Sequence, residues 1–172
     1  IDSGRFIVDA KSGLSGAGRK ADTALLYTEM TENLRAYKVN EHQHMPEITQ
    51  TIREMTGQAS SLVFVPQVIP ATRGLISMIY APAKTTVEAV TAAFASAYSP
   101  KATPFVRLRG TAFPQFTDVI GTNCADIGAR YDSATGTICV ASAIDNLVKG
   151  AAGQAVQNLN VMHGWPETTG LR

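Results

Sequence analysis

Two of the three histidines lie two residues apart in a polar segment, and a carboxylate follows closely. The segment reads HQHMPE and supplies His42, His44 and Glu47. Imidazole is the side chain best suited to move protons near neutral pH, and a nearby carboxylate can fix its orientation. Zinc is the competing ligand, but H-x-H without a third His or Cys nearby is an incomplete set, so we predict no metal site. The pair is either a proton-transfer site or two surface histidines before a helix.

A glycine-rich loop is the second candidate for chemistry. Residues 12–18 read SGLSGAG and include Ser15, Gly16, Ala17 and Gly18. A glycine-rich turn after a strand exposes backbone N–H groups that can face a phosphate or an amide. The glycines run G-x-x-G-x-G, which is not the dinucleotide fingerprint, and the Lys-Ser/Thr pair of a P-loop is missing. By itself the pattern indicates either a tight turn or an anion-facing loop.

The third candidate is a run of small residues that starts at residue 143, AIDNLVKGAAGQAVQN. Gly and Ala on successive turns let a helix pack closely on a strand, on another backbone or on a flat ligand. Asn146 lies near the start of this helix, where it either caps the helix or meets a ligand. Cys124 and Cys139 sit in strand-like runs without metal-ligand spacing, and we expect them to be buried structural thiols.

The elements that must position these residues are short. Strands are predicted at 5–9, 61–66, 74–81, 105–108, 116–121, 123–132 and 137–143. Helices are predicted at 46–56, from Thr85 or Thr86 onward, and at 145–160, whereas 11–18 is predicted as a loop and 22–37 stays ambiguous. Strands outnumber helices, so we predict an α+β fold with a mostly antiparallel or mixed sheet and helices on one face.

The composition narrows the class of protein. The chain has 172 residues, of which 45% are hydrophobic and 17% charged, and its formal net charge is +1. These values suit a globular protein and give no electrostatic footprint for nucleic acid or an anionic membrane. No apolar run is long enough to span a bilayer, and two isolated thiols predict an intracellular, cytoplasmic protein. The first residues, IDSGR, are neither a signal peptide nor an initiator Met, so we expect them to continue a longer chain.

Taken in order, the three segments resemble the N-acetyl-γ-glutamyl-phosphate reductase family, which is related to aspartate-semialdehyde dehydrogenase. The matching stretches are VDAKSGLSGAGRK (8–20), AYKVNEHQHMPEI (36–48) and AIDNLVKGAAGQAVQNLNVM (143–162), with smaller echoes in PATRG (70–74), PFVR (104–107) and GTNCADIG (121–128). The resemblance implies a substrate-binding and dimerisation domain over residues 1–142. It also implies that residues 143–172 form a closing helix, which packs on an NADP-binding domain.

The resemblance implies the chemistry of an oxidoreductase that forms an aldehyde. A cysteine thiolate attacks N-acetyl-γ-glutamyl phosphate, phosphate leaves, and NADPH delivers a hydride to the thioester, giving N-acetylglutamate 5-semialdehyde in arginine biosynthesis. A histidine activates the thiol and protonates the developing oxyanion. The family pattern gives this role to His44, with Glu47 orienting His44 or the substrate.

The remaining site residues are also implied by the resemblance. Tyr37 stands seven residues before His44, where related dehydrogenases carry a substrate-binding arginine. The substrate-binding residues are expected to be His42, Tyr37, Arg107 and Arg73. The residues expected at the nicotinamide end of NADP are Ser15, Gly16, Ala17, Gly18 and Asn146.

The chain also lacks two motifs of the family pattern. The Asn-Pro-Gly-Cys-Tyr type motif of the nucleophile and the dinucleotide fingerprint are both missing, and Cys124 and Cys139 match non-catalytic positions. Without the nucleophile, we expect the chain alone to be inactive. The resemblance also implies that it forms a homodimer or homotetramer. Two alternatives stay open: a non-catalytic dimerisation or binding module, and a lysine-pathway reductase of N-acetyl-aminoadipyl phosphate. The two substrates differ by one methylene, which no residue here discriminates.

Overall fold

A computed structural model describes residues 4–172 of the chain. This part contains seven β-strands and four α-helices. The strands are β1 (Arg5–Gly13), β2 (Arg35–Ala36), β3 (Ser61–Ile69), β4 (Leu75–Pro82), β5 (Val106–Leu108), β6 (Ala125–Asp132) and β7 (Thr137–Ile144). The helices are α1 (Tyr27–Met30), α2 (Met45–Thr56), α3 (Val87–Ala97) and α4 (Gly153–Met162). Short 3₁₀ or π turns occupy Leu14–Ala17, Thr23–Leu25, Phe116–Asp118 and Val148–Ala152.

All seven strands join one mixed sheet. Their order across the sheet is β2-β3-β1-β4-β7-β6-β5. The pairs β1–β3 and β5–β6 are parallel, and the other four pairs are antiparallel. The parallel pair β1–β3 needs a long connection, which the chain supplies with α1, β2 and α2. The predicted α+β fold with a mixed sheet is therefore confirmed.

The two helices that follow β2 and β4 lie on the same face of the sheet. Val8 is opposite Ile79, Ile79 is opposite Val140, and Val140 is opposite Ala129, so these four side chains share one face. Helix α2 packs on the β1–β3 end of this face, and α3 packs on the β6–β7 end. The prediction of helices on one face is also confirmed.

The opposite face is covered over only half of its width. On β6 and β7 the loop after β5 lies so close that a Cβ on Gly128 would collide with the carbonyl oxygen of Ala112, and Ala141 and Ala143 are fully buried. On β3, β1 and β4 most residues of this face are half-buried or exposed, and only Gly13, at the end of β1, is buried. We call these residues the open face: Ile7, Asp9, Lys11, Val63, Val65, Gln67, Ile76, Met78 and Tyr80.

Two local predictions were wrong. The predicted strand at 116–121 is a 3₁₀ turn, because the Asp118 carboxylate accepts a hydrogen bond from the Gln115 N–H at 3.0 Å and closes a capping box. The predicted loop at 11–18 starts late, because β1 continues to Gly13. A Cβ on Gly13 would lie 2.9 Å from the Ala71 carbonyl oxygen, so the absence of a side chain is what lets the strand continue there.

The helix signals were more accurate. Helix α2 has Pro46 in its first turn and ends at Gly57, which has a φ of 69°. Of the two candidate caps for α3, Thr86 accepts the hydrogen bond from the Ala89 N–H. The small-residue helix begins later than predicted, because β7 runs to Ile144 and a π turn precedes α4. Within residues 4–172, none of the helices combines the length and apolarity needed to cross a membrane.

Candidate functional site

The histidine pair stands at the start of α2. His44 is the N-cap residue, and its backbone N–H donates a hydrogen bond of 3.2 Å to Nδ1 of His42. Nδ1 of His42 must therefore be unprotonated, which leaves the proton of its neutral form on Nε2. The two imidazole rings are 4.7 Å apart, and the His44 side chain is exposed. The two rings are thus in contact, but His42 accepts a backbone hydrogen bond whereas the His44 ring is exposed.

His42 is held by aromatic side chains and by the edge of the sheet. Its ring lies edge-on to Tyr37 at 5.6 Å and to Phe64 at 5.4 Å. The intervening turn is fixed to β3 because the Asn40 N–H donates to the Phe64 carbonyl at 3.0 Å and the Asn40 side chain accepts from the Phe64 N–H at 2.9 Å. Asn40 adopts a left-handed conformation with a φ of 58°. We call Tyr37, His42, His44 and Phe64 the histidine cluster.

Burial shifts the pKa values of two residues of the histidine cluster, His42 and Tyr37. Burial lowers the pKa of His42, and the positive charges of His44 and Lys38 lower it further. Burial also raises the pKa of Tyr37. His42 is therefore a neutral hydrogen-bonding group at neutral pH, and Tyr37 stays protonated.

We expect an NMR titration of the imidazole signals to place the His42 pKa below the ordinary value of about 6.5. His44→Gln should move that pKa part of the way back up, because burial, the larger cause, remains. The folded state binds fewer protons at His42 than the unfolded chain does, so this residue's contribution to stability is complete above about pH 6.5 and is lost as the pH falls through the lowered pKa. A His42 pKa at or above the ordinary value would contradict this assignment.

Asn146 joins the glycine-rich turn to the start of β4. Its Oδ1 accepts from the Gly74 N–H at 2.7 Å, and its Nδ2 donates to Ser15 Oγ at 2.9 Å. The backbone supports the same junction, because the Gly13 and Ser15 N–H groups donate to the carbonyls of Gly74 and Thr72 at 2.8 and 3.1 Å. Asn146 is only 9% exposed. It is neither a helix cap nor a free ligand group but a tie between two loops.

The turn that Asn146 holds presents small residues to solvent. Gly16, Ala17 and Gly18 are exposed, and Gly18 has φ and ψ of 77° and −156°, a conformation that L side chains disfavour. A Cβ on Gly16 would lie 2.7 Å from Ser12 Oγ. The turn thus exposes backbone with few side chains, on a base that Asn146 and the backbone hydrogen bonds hold in place.

Asp145 and Arg73 complete this end of the sheet. Asp145 is fully buried and accepts from the Gly121 N–H and the Leu147 N–H, both at 2.8 Å. The Arg73 Nε lies 3.6 Å from the Asp145 carboxylate, and among residues 4–172 it has no hydrogen-bond partner. The buried Nε faces Asp145, so the terminal amino groups of the partly exposed Arg73 side chain are what remains as donors for an anion beside the glycine-rich turn. An Asp-Asn pair before a helix predicts a cap, and the Asp145 carboxylate does accept from the Leu147 and Val148 N–H groups, at 2.8 and 3.3 Å. The sequence carried no signal for its contact with Gly121.

The other predicted site residues lie elsewhere or stand apart. Arg107 donates to the buried Asp126 at 2.5 Å and to the Asp118 carbonyl at 2.6 Å, and hydrogen bonding to Asp126 raises its pKa. It belongs to β5, at the opposite edge of the sheet from β2 and β3. Glu47 is exposed and makes no hydrogen bond or ion pair with His44 in the described structure. Nor does any hydrogen bond or ring contact within residues 4–172 link the histidine cluster to the Asn146 junction.

Metal ligands do not gather anywhere in the described part of the chain. Within residues 4–172, no three His, Cys, Asp or Glu side chains are grouped so that they could hold a metal ion. Cys124 and Cys139 are free and only partly buried, so the expectation that they are buried thiols was wrong in degree.

Asn146→Ala is expected to lower the free energy of unfolding by about 1–3 kcal/mol, because the buried Gly74 N–H loses its acceptor. The measurement is urea unfolding, together with hydrogen exchange at Gly74 and in the turn around Ser15. Gln50→Ala on the exposed side of α2 is the control, since Gln50 also donates to another side chain, that of Glu54. If both variants had the same stability, Asn146 would not be a structural tie.

Comparison with known proteins places this arrangement in a family. The model of the semialdehyde dehydrogenase dimerisation domain matches residues 1–146. An N-acetyl-γ-glutamyl-phosphate reductase from Geobacillus sp. (strain WCH70) is 48% identical over 172 residues, which are 99% of this chain and 50% of the relative. The chain thus spans about half the length of the curated relatives it matches.

Solved structures agree at the level of the fold. Aspartate semialdehyde dehydrogenase II from Vibrio cholerae has a TM-score of 0.68 and 19% identity, over 94% of this chain and 56% of that one. Aspartate semialdehyde dehydrogenase with NADP from Candida albicans has a TM-score of 0.58 and 13% identity, over 87% and 47% of the two chains. The resemblance seen in the sequence is therefore confirmed, and the chain belongs to the semialdehyde dehydrogenase dimerisation-domain family.

Proposed function

We propose that this chain is the substrate-binding and dimerisation part of an NADP-dependent reductase in arginine biosynthesis. The reaction converts N-acetyl-γ-glutamyl phosphate to N-acetylglutamate 5-semialdehyde and phosphate. The observation that carries the proposal is the exposed His44 at the start of α2, beside a neutral His42. The names of relatives that are 44–48% identical to the chain support the substrate.

His44 is the proton carrier in this proposal. Its side chain has no hydrogen-bond partner among residues 4–172, so it is free to meet a thiol or an oxyanion supplied from outside this chain. His42 positions it, because Nδ1 of His42 holds the His44 backbone. Tyr37, with its raised pKa, stays a hydrogen-bond donor next to His42 and can bind the substrate. Glu47, in the first turn of α2, orients the substrate or His44.

The glycine-rich turn and Asn146 form the cofactor end of the proposed site. NADPH, when bound, supplies the hydride. The exposed Gly16, Ala17 and Gly18 give a planar ring close access to the backbone, and Asn146 keeps the turn in place through Ser15. Arg73 contributes the terminal amino groups of its partly exposed side chain to the anionic part of the substrate. A substrate role for Arg107 requires it to bind while still paired with Asp126.

Helix α4 supplies the contact with a nucleotide-binding domain. Its polar side is anchored on this chain, since Gln157 accepts from Asn123 at 2.9 Å and from Lys149 at 2.7 Å. Apolar side chains nevertheless remain in solvent, with Met162 81% and Trp165 51% exposed. Exposed apolar side chains of this kind are typical of an interaction surface. We propose that the NADP-binding domain covers them.

The open face is the proposed dimer interface. Six of its nine residues are apolar, and a shallow cavity of about 280 Å³ adjoins it at Arg5, Ile7 and Tyr80. A second copy would cover these side chains from water by packing sheet against sheet. Met78→Lys is expected to convert the dimer into a monomer in sedimentation velocity, because it places a charge in that layer.

The function is tested in the protein that carries this chain together with a nucleotide-binding half. We expect NADPH oxidation with N-acetyl-γ-glutamyl phosphate, and a lower kcat/KM with N-acetyl-aminoadipyl phosphate. A clear preference for the aminoadipyl substrate would move the enzyme to the lysine pathway. This chain alone should form a dimer without reductase activity; if the combined protein were also inactive and bound no NADPH, a non-catalytic dimerisation module would replace the enzyme.

A further inference from the structure

The open face is a regular grid with a charged residue at its centre. In the strand register, Ile7 is opposite both Val63 and Tyr80, and Asp9 is opposite both Val65 and Met78. The third row places Lys11 opposite Gln67 and Ile76. Asp9 is the middle residue of β1, and β1 is the middle strand of the three. The polar residues of the grid are therefore Asp9 at its centre and Lys11 and Gln67 beside it in the third row, and the other six are apolar.

The polar residues of this grid contact one another. Lys11 Nζ lies 2.6 Å from one Asp9 carboxylate oxygen, and Gln67 Nε2 donates to the other oxygen at 2.6 Å. The side chains of Lys11 and Asp9 are only 30% and 29% exposed. We call Asp9, Lys11 and Gln67 the polar triad. Its three side chains are already ordered in a single chain, before any partner arrives.

We propose that the polar triad is a self-complementary contact between two copies of this chain, which lies at the twofold axis and fixes how the two open faces align. The proposal rests on the dimer described above. In a twofold interface the same patch meets itself, so the residue at the centre of the patch lies near the axis and faces its own copy or that residue's neighbours. Asp9, in the middle of the grid, meets this condition, and Lys11 and Gln67 adjoin it in the next row.

The unused hydrogen-bonding capacity of the triad supports this pairing. Both carboxylate oxygens of Asp9 have a donor within the chain. Lys11 has three N–H donors, and within residues 4–172 only Asp9 accepts from them. The side-chain oxygen of Gln67, Oε1, has no donor in the same described region. A twofold axis brings the spare donors of Lys11 to the spare acceptor of Gln67 on the partner, twice.

Burial explains why this contact would select one alignment. Six apolar side chains favour stacking of the two faces but fit several relative rotations about equally. A charged pair that is covered without satisfying its remaining donors is strongly penalised. Only the alignment in which Lys11 meets an acceptor avoids that penalty, so the triad discriminates against the others.

The test uses the heterodimer formed by two single variants, Lys11→Met and Gln67→Met. Each variant homodimer breaks both cross-chain contacts and leaves a polar partner unpaired on each side. In the mixed dimer, both substituted residues belong to the same cross-chain contact. The other contact, between Gln67 of the Lys11→Met chain and Lys11 of the Gln67→Met chain, stays intact. With one variant labelled with ¹⁵N, native mass spectrometry of an equal mixture should therefore find clearly more heterodimer than the about one half expected for independent sites.

Dissociation constants measured by sedimentation equilibrium complete the test. We expect each single variant to weaken the homodimer by roughly tenfold to a hundredfold, and Gln50→Met, on the exposed side of α2, to leave it unchanged. Circular dichroism checks folding, and Gln67→Asn replaces Gln67→Met if that variant does not fold.

Two outcomes would overturn the inference. A statistical heterodimer fraction, with Met78→Lys still breaking the dimer, would refute the contact between triads but keep the proposed dimer. A wild-type chain that stays monomeric, or a Met78→Lys variant that stays dimeric, would remove the open face as the interface and the triad contact with it.

Discussion

His44→Asn is expected to lower the turnover of the combined protein, in which a nucleotide-binding half accompanies this chain, by roughly two to four orders of magnitude. Asparagine can fill the N-cap position of α2 and donate a hydrogen bond, but it cannot carry a proton between a thiol and an oxyanion. The measurement is the rate of NADPH oxidation with N-acetyl-γ-glutamyl phosphate at saturating substrate. The effect should be on kcat rather than on the binding of NADPH.

His42→Asn is the matched control for this prediction. His42 is half-buried, holds the His44 backbone through Nδ1 and contacts Tyr37 and Phe64, so its loss should disturb positioning and lower kcat less than the loss of His44 does. A larger loss of kcat in His42→Asn than in His44→Asn would reverse the assignment. The pH profile separates the two roles, because only the removal of the proton carrier should abolish the limb of the profile that belongs to it.

Asp145→Ala is expected to lower the free energy of unfolding by about 3–5 kcal/mol. The carboxylate is fully buried and accepts from the N–H groups of Gly121 and Leu147, and Arg73 is its charged neighbour. Alanine leaves two backbone donors without an acceptor and leaves the partly exposed guanidinium without its counter-charge. Urea unfolding followed by circular dichroism measures the loss.

Two control variants test whether the loss of stability comes from the buried hydrogen bonds of Asp145. Asp145→Asn keeps one carbonyl acceptor and should lose clearly less stability than Asp145→Ala. Asp132→Ala also removes two hydrogen bonds, to Ala134 and Thr135, but from an exposed hairpin turn. Because water can replace those bonds, the loss should be small. Equal losses at Asp145 and Asp132 would show that the burial of Asp145 does not matter.

Much of the architecture follows from local patterns. The Pro46 and Gly57 signals place α2, the threonines before α3 place its cap, and the DSATG turn at 132–136 places the β6–β7 hairpin. These signals are reliable because each depends on the backbone needs of a few neighbouring residues. The strand predicted at 116–121 failed for the same kind of reason, since a hydrogen bond between Gln115 and Asp118 outweighed the apolar pattern.

The sequence by itself determined the α+β class, the family, and the short list of residues from which a site could be built. Only the tertiary structure decided which of them meet. It joins His42 with Tyr37 and Phe64, ties Ser15 to Asn146 across most of the chain, and places Arg107 at the far edge with Asp126. The open face with Asp9 at its centre also exists only in the folded sheet. The physical reason is that helix, turn and cap signals depend on neighbouring residues. Strand order and register depend instead on the simultaneous packing of segments that are far apart along the chain.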